Sequence, residues 1–356
     1  MRKAPTLTPL SYAFTLGVSL VADALFVWPL HVVLAAGQNA ILSMLMTALW
    51  AIFIILLPPR SHSSKWTSRV WQVLNAAGGI LLLTIDSIML ASLVAMLKTF
   101  YFFNTPAWAF LISFALLVAW GSSQAPEAVP RVIMLWGPLL ITISVSIMIL
   151  ALHNVQYPRA IWPNHVISLD TVFSGVLMMA YILTPIGLTI RWLASPQNTV
   201  PVPKIRILGL FLGGGFLVAM YCITIGTLGP SALIHVRWPI VFVMNEITVD
   251  SAFFVSRVGI AVIFGWLTIM ALGFLVHARI LVDGLVNTLS LPSLRFFGSY
   301  CVTGLWVAIA WFLSSPIRAD SLLLKIVNPA TWGYLLVEMA MLLLTSAIDH
   351  HHRSSA

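Results

Sequence analysis

The run TVFSGVLMMAYILTPIGLTIRW, residues 171–192, is long and apolar enough to cross a bilayer, yet Gly175, Pro185 and Gly187 interrupt it. An earlier run is interrupted in the same way. In VSLVADALFVWP, residues 18–29, Asp23 sits among apolar neighbours, with Gly17 just before the run and Pro29 at its end. A broken helix at membrane depth is tolerated only where its freed backbone groups meet protein or line a cavity. Two such helices predict an interior site.

The rest of the chain has the composition such helices require. Of 356 residues, 60% are hydrophobic and 8% are charged, whereas a soluble domain is about 45–50% apolar and ~25% charged. Charge this sparse cannot cover a water-facing surface, so the chain reads as an integral membrane protein. The net charge of +8 comes from cations placed in short segments between apolar runs. That is a pattern of topology signals and not of a nucleic-acid groove. Cys222 and Cys301 both lie in apolar stretches and act as small hydrophobes; no disulfide framework, metal spacing or cofactor motif is present. MRKAPTLTPL leads into a run too long for a signal peptide, which predicts a retained first span. The triple histidine at 350–352 reads as an exposed tail.

Ten apolar runs are predicted as spans: 10–36, 37–58, 71–97, 106–120, 132–152, 171–192, 207–228, 257–283, 296–314 and 329–349. They are separated by PPRSHSSK (58–65), SSQAPEAVPR (122–131) and ASPQNTVPVPK (194–204), among others. With the N-terminus inside, the inside cations are Arg2, Lys3, Arg60, Lys65, Arg69, Arg131, Arg191, Lys204, Arg206, Arg279, Arg295 and Arg353. The outside set is smaller: Lys98, Arg159, Arg237, Arg257, Arg318 and Lys325. This bias places both termini in the cytoplasm. Spans 1 and 6 then start from opposite faces, as two inverted five-helix repeats require, and both leading spans are interrupted.

Three further stretches carry a resemblance. They are AAGQNAILS (35–43), TPAWAFLISFALLVAWGSSQAPEAVPR (105–131), and RWPIVFVMNEI (237–247) followed by SRVGIAVIFGWLTIMALGF (256–274) with Arg257 and Trp266. In this order the chain resembles the B-subunit family of bacterial spore germinant receptors, within the amino acid–polyamine–organocation superfamily. The resemblance implies a five-plus-five inverted repeat of the leucine-transporter type with discontinuous helices 1 and 6. It implies binding of a small nutrient such as an amino acid in a central pocket, an A-type membrane subunit and a C-type lipoprotein as partners, and residence in the spore inner membrane. Where the family favours glycine and small residues in span 1, this chain has Val21-Ala22-Asp23-Ala24.

Three acids lie well inside apolar spans: Asp23, Asp86 and Glu338. Each costs about 2.5–3.5 kcal/mol at the bilayer centre on insertion scales, so each must find a partner, a proton or a cation. Asp23 and Asp86 fall midway along spans 1 and 3, which line the central site in the implied fold. Facing each other, they would share a proton or a cation and could receive a ligand ammonium. Alternatively each bonds a nearby hydroxyl, from Ser19, Thr84 or Ser87. Glu338 belongs to the last span, expected to be peripheral.

Half-helix N-termini at Val21–Ala24 and Gly175–Met179 are expected to offer free amides to a ligand carboxylate. Met178 and Met179 could wall the pocket, and Trp266 could line it. Trp50, Trp66, Trp71, Trp108, Trp120, Trp162, Trp192 and Trp332 sit near span ends and read as interfacial anchors. His31 and His277 read as buried histidines bonded to a neighbouring helix, and Gly213-Gly214-Gly215 as a helix-packing surface. No serine–histidine–acid set or cysteine–histidine pair is present, so an enzyme is not expected. The functional readings are a germinant-receptor subunit, a proton- or cation-coupled amino-acid permease, and a structural subunit with a vestigial pocket.

Overall fold

Almost every segment that is apolar in the sequence is helical. The computed structural model describes residues 8–24, 28–56, 65–125, 127–164, 166–193, 203–245, 259–289 and 291–354. The predicted topology cations Arg2, Lys3, Arg60 and Arg257 lie outside these residues, as does most of the 194–204 connector.

The first part of the chain forms α1 (Pro9–Ala24), α2 (Trp28–Ala36), α3 (Ala40–Leu56), α4 (Lys65–Phe100), α5 (Ala107–Ser123) and α6 (Ala128–Ala151). The second forms α7 (Leu169–Leu177), α8 (Ala180–Leu193), α9 (Pro203–Leu233), α10 (Pro239–Asn245), α11 (Gly259–Leu289), α12 (Arg295–Phe312), α13 (Pro316–Leu322) and α14 (Asn328–Ser354). Among the described residues there is no strand. The protein is an all-α, multi-pass membrane protein.

Among the described residues, length and composition give 6 helical stretches able to cross a membrane, or 7 when α7 and α8, bent by 51°, are counted as one broken span. The ten predicted runs divide differently for physical reasons. With 16 and 17 residues, α1 and α5 are shorter than a full crossing. Moreover, α2 and α3 make one stretch, Trp28–Leu56, turned at Gly37, whose left-handed φ of +56° suits glycine.

The outer helices turn large apolar side chains outward, such as Leu135, Phe211 and Phe312, each more than 70% exposed. Such a surface belongs against lipid and not water. By contrast, α1 and α8 are buried on nearly every side. A helix that is apolar all round belongs in the centre of a bundle. The two interrupted runs of the sequence are therefore the core helices, with α1 held among α6, α8, α9 and α11.

Small residues set the tightest of these contacts. A Cβ on Gly213 would stand 2.7 Å from the Gly17 carbonyl oxygen, and one on Gly209 would stand 2.8 Å from that of Ala13. The predicted glycine surface is thus real but confined to one face, because a Cβ on Gly215 would meet nothing within 4 Å. We expect Gly213→Val to destabilise the protein by about 1–3 kcal/mol, since two backbones would have to separate. Gly215→Ala should be neutral or stabilising by up to about 1 kcal/mol. Unfolding of the two variants in detergent micelles checks the contrast, and equal midpoints would refute it.

Candidate functional site

Asp23 of α1, Asp86 of α4 and His277 of α11 meet in the bundle interior, each with 0% of its surface exposed. One ligand-capable atom from each lies within 4.8 Å of the others. Local geometry explains how they converge. Ser19 and Asp23, four residues apart, share one face of α1, as Gly273 and His277 share one face of α11. A Cβ on Gly273 would collide with the Ala22 methyl and stand 3.1 Å from the Val18 carbonyl oxygen. The pair Ala22–Gly273 therefore lets α11 lie directly on α1, which brings the His277 ring against Ser19.

The ring is held at both nitrogens. Its Nδ1 lies 2.8 Å from Oδ1 of Asp86 and 3.8 Å from Oδ1 of Asp23. Its Nε2 lies 2.9 Å from the Ser19 hydroxyl, which in turn lies 2.8 Å from the Thr189 hydroxyl of α8. A polar chain thus crosses four helices. Among the described residues, no donor bonds either oxygen of Asp23 or Oδ2 of Asp86. Local hydroxyls do not relieve the acids: Thr84 and Ser87 donate to the carbonyls of Ile80 and Leu83. Two neighbouring carboxylates buried from solvent cannot both stay ionised unless a cation or proton balances them.

The cluster is closed off on both sides. Toward one end, Arg279 donates from Nη1 to the Ser122 and Gln124 carbonyls at 2.7 and 2.5 Å, and from Nε to Asp283 at 2.9 Å. Asp283 also accepts from the Trp192 indole at 3.0 Å and pairs with Arg295 at 3.3 Å. Beside it, Arg191 pairs with Glu338 and donates to the Tyr334 hydroxyl. A Cβ on Gly187 would stand 3.0 Å from Glu338, so this glycine makes room for that pair. Glu338, expected to be peripheral, is a buried member of this seal.

Toward the other end, the Trp238 indole donates to Ser92 at 3.3 Å, and Tyr101 donates to Asn245 at 2.6 Å. Arg237 pairs with Asp320 at 2.7 Å. Burial raises the Tyr101 phenol above its ordinary range while the bond to Asn245 opposes this. Asp86 is separated from Ser92, and His277 from Asp283, by about 9 Å of helix rise. The cluster therefore lies buried between two sets of polar contacts.

The break between α7 and α8 falls at Met178–Met179, within the predicted segment. Its backbone is not free, however. The Met178 and Met179 amides bond the Ser174 and Val176 carbonyls at 3.1 and 3.0 Å. Asn328 of α14 accepts from the Tyr181 amide at 3.2 Å and donates to the Leu177 carbonyl, which also accepts from the Trp332 indole at 2.9 Å. A neighbouring helix thus satisfies the groups that the break releases, as hydrocarbon surroundings demand.

Of the predicted site residues, Asp23 and Asp86 come together and the others do not join them. Val21 and Ala22, expected in an unwound segment, are helical within α1. Val21 lines an outward apolar crevice with Phe14 and Leu140, and Ala22 packs on Gly273. Gly175 seats α7 against Ser43 and Ala36. Met179 is buried and Met178 half-buried at the break. Trp266 is buried on α11, about 16 Å of helix rise before His277. Trp71, expected at the interface, is buried, whereas Trp108, Trp120 and Trp162 are exposed as expected. His277, Ser19, Thr189 and Asn328 were not predicted as site residues. A signal for His277 existed: an imidazole in an apolar run, two residues before an arginine.

No protein-family model matches the sequence, and no curated protein matches it.

Proposed function

We propose that the chain is the B-type membrane subunit of a spore germinant receptor, which binds a small amine-bearing nutrient at Asp23 and Asp86. The observation that carries this reading is the meeting of two buried carboxylates with unbonded oxygens, Asp23 on the core helix α1 and Asp86 on α4, in a polar chain that reaches the other core helix, α8, through Ser19 and Thr189. In the proposed five-plus-five arrangement, α1 with α2 and α7 with α8 are the paired discontinuous spans. The gathering of Arg191, Arg279 and Arg295 around one seal and Arg237 at the other supports the proposed orientation, with both termini cytoplasmic. A nutrient acts by binding a state in which one seal is open more tightly than another, and an A-type subunit and a C-type lipoprotein read the shift.

A second reading, a proton- or cation-coupled amino-acid permease, is favoured by the His277–Asp86 contact, because an acid–imidazole pair beside an unpartnered acid can take up and release charge. Uptake into proteoliposomes driven by a proton gradient supports the permease, and co-isolation with an A-type subunit from spore membranes supports the receptor. In spores carrying Asp23→Asn at normal protein levels, the half-maximal amino-acid concentration should rise about 10–100-fold, the loss expected for a charge-assisted bond. An unchanged dose response would remove Asp23 from ligand recognition.

A further inference from the structure

We infer that Asp23, Asp86 and His277 form a binding site for one divalent first-row transition-metal ion, of the zinc or manganese type. The inference does not depend on whether the chain is a receptor or a permease, but it gives Asp23 and Asp86 to the ion in place of a nutrient ammonium. It follows from three features of the cluster.

The first is the spacing. Ligands held at 2.0–2.1 Å around a tetrahedral ion lie about 3.3 Å from one another. The observed separations from His277 Nδ1, 2.8 Å to Asp86 and 3.8 Å to Asp23, straddle that value. Movements of about 0.5 Å bring both to it, and the two acids lie within 4.8 Å of each other. Three protein ligands leave a fourth position for water or a ligand atom, as in open metal sites.

The second is the unmet valence. Both oxygens of Asp23 and Oδ2 of Asp86 are fully buried acceptors without a donor among the described residues. A structural acid in hydrocarbon surroundings ordinarily has its lone pairs satisfied. One proton shared between the acids would match two of these three oxygens and leave a net negative charge on the pair. A divalent cation draws on an oxygen from each acid. It also brings two carboxylates and a neutral imidazole to zero net charge, which offsets the cost of placing acids at membrane depth.

The third is the outer partner. A metal-bound histidine usually passes its second ring proton to a fixed acceptor, which sets the tautomer and the ring plane. His277 meets this condition: with Nδ1 on the ion, Nε2 donates to the Ser19 hydroxyl 2.9 Å away, and Ser19 donates onward to Thr189. Hydroxyls can reverse their donor role, so the same contacts persist without the ion. The mixed carboxylate and imidazole set favours zinc or manganese over magnesium and sodium, which prefer oxygen alone. In this arrangement the ion takes the role given above to the nutrient ammonium, and a nutrient carboxylate would occupy the open position. Metal analysis of nutrient-free protein separates the two.

The test uses the full-length chain carrying His350→Ala, His351→Ala and His352→Ala, because that tract could bind metal by itself. Cells are grown with added zinc, and the protein is purified in micelles, dialysed and measured by elemental mass spectrometry. We expect one zinc per chain, retained in excess magnesium or sodium. Asp23→Asn and His277→Gln should each retain less than a tenth of it at the zinc concentration that half-saturates the parent. Ser19→Ala should bind about 10–100-fold more weakly without abolishing the site. Cobalt added to the metal-stripped parent should give visible ligand-field absorption that zinc removes, a readout independent of variant folding. Zinc no higher than in a buffer blank together with no cobalt spectrum would overturn the inference. Equal zinc in the parent and in monodisperse Asp23→Asn and His277→Gln would overturn it too.

Discussion

Replacing Arg279 with methionine is expected to destabilise the protein by about 3–5 kcal/mol, the range for removing one partner of a buried ionic contact. Arg279 has no exposed surface and serves three acceptors at once: the Asp283 carboxylate and the carbonyls of Ser122 and Gln124. Methionine fills similar space but donates nothing, so two carbonyls at the end of α5 lose their partner. Among the described residues, Asp283 retains the Trp192 indole and the partly exposed Arg295. Lysine should not rescue the loss, because a single ammonium cannot reproduce the planar fork that spans a carboxylate and two carbonyls. Adding Asp283→Leu should recover part of the stability, since replacing both members of a buried pair is milder than replacing one. Thermal or denaturant unfolding in nanodiscs gives the ranking. Arg279→Met within 1 kcal/mol of the parent, or a double variant worse than both singles, contradicts the assignment of this cluster as the structural seal.

His277→Leu should produce a loss of similar size, about 3–5 kcal/mol, with a fuller rescue. The imidazole bonds Oδ1 of Asp86 at 2.8 Å and lies 3.8 Å from Oδ1 of Asp23. Its removal leaves two acids facing each other, and it strips Ser19 of one of its two contacts. Neutralising the acids as well, in Asp23→Asn/Asp86→Asn/His277→Leu, should regain most of the stability while abolishing any cation binding. A triple variant less stable than His277→Leu alone would mean that the acids stabilise the fold without the imidazole. That outcome contradicts the electrostatic account of the cluster. Stability and function are thus expected to part company here, as they do where charged groups are kept for binding.

How far the sequence could be read differs from element to element. The membrane class and the importance of Asp23 and Asp86 follow from one fact, the cost of charge in hydrocarbon, which acts on residues one at a time. The interruption at Met178–Met179 was legible from Gly175 and Pro185 because helix breakers act locally. Asn328 was not, since nothing in NPATWG announces that its side chain completes a break some 150 residues earlier. Spacing likewise showed no metal site, because Asp23, Asp86 and His277 stand on three different helices. Val21 and Ala22, expected in an unwound segment on a family resemblance, are helical within α1, where Ala22 is the small partner of Gly273.

The sequence by itself thus determined the solvent, the all-helical class, the two core helices and the acids that need a partner. Each is decided by transfer energies and local backbone preferences, which depend on near neighbours in the chain. Only the tertiary structure decided which partners the acids receive, that Glu338 and Arg279 belong to seals, and that the freed backbone of the broken span is already bonded. Those are matters of distances of about 3 Å between helices far apart in sequence. They are set by where small residues let backbones approach, and pattern along the chain does not encode them.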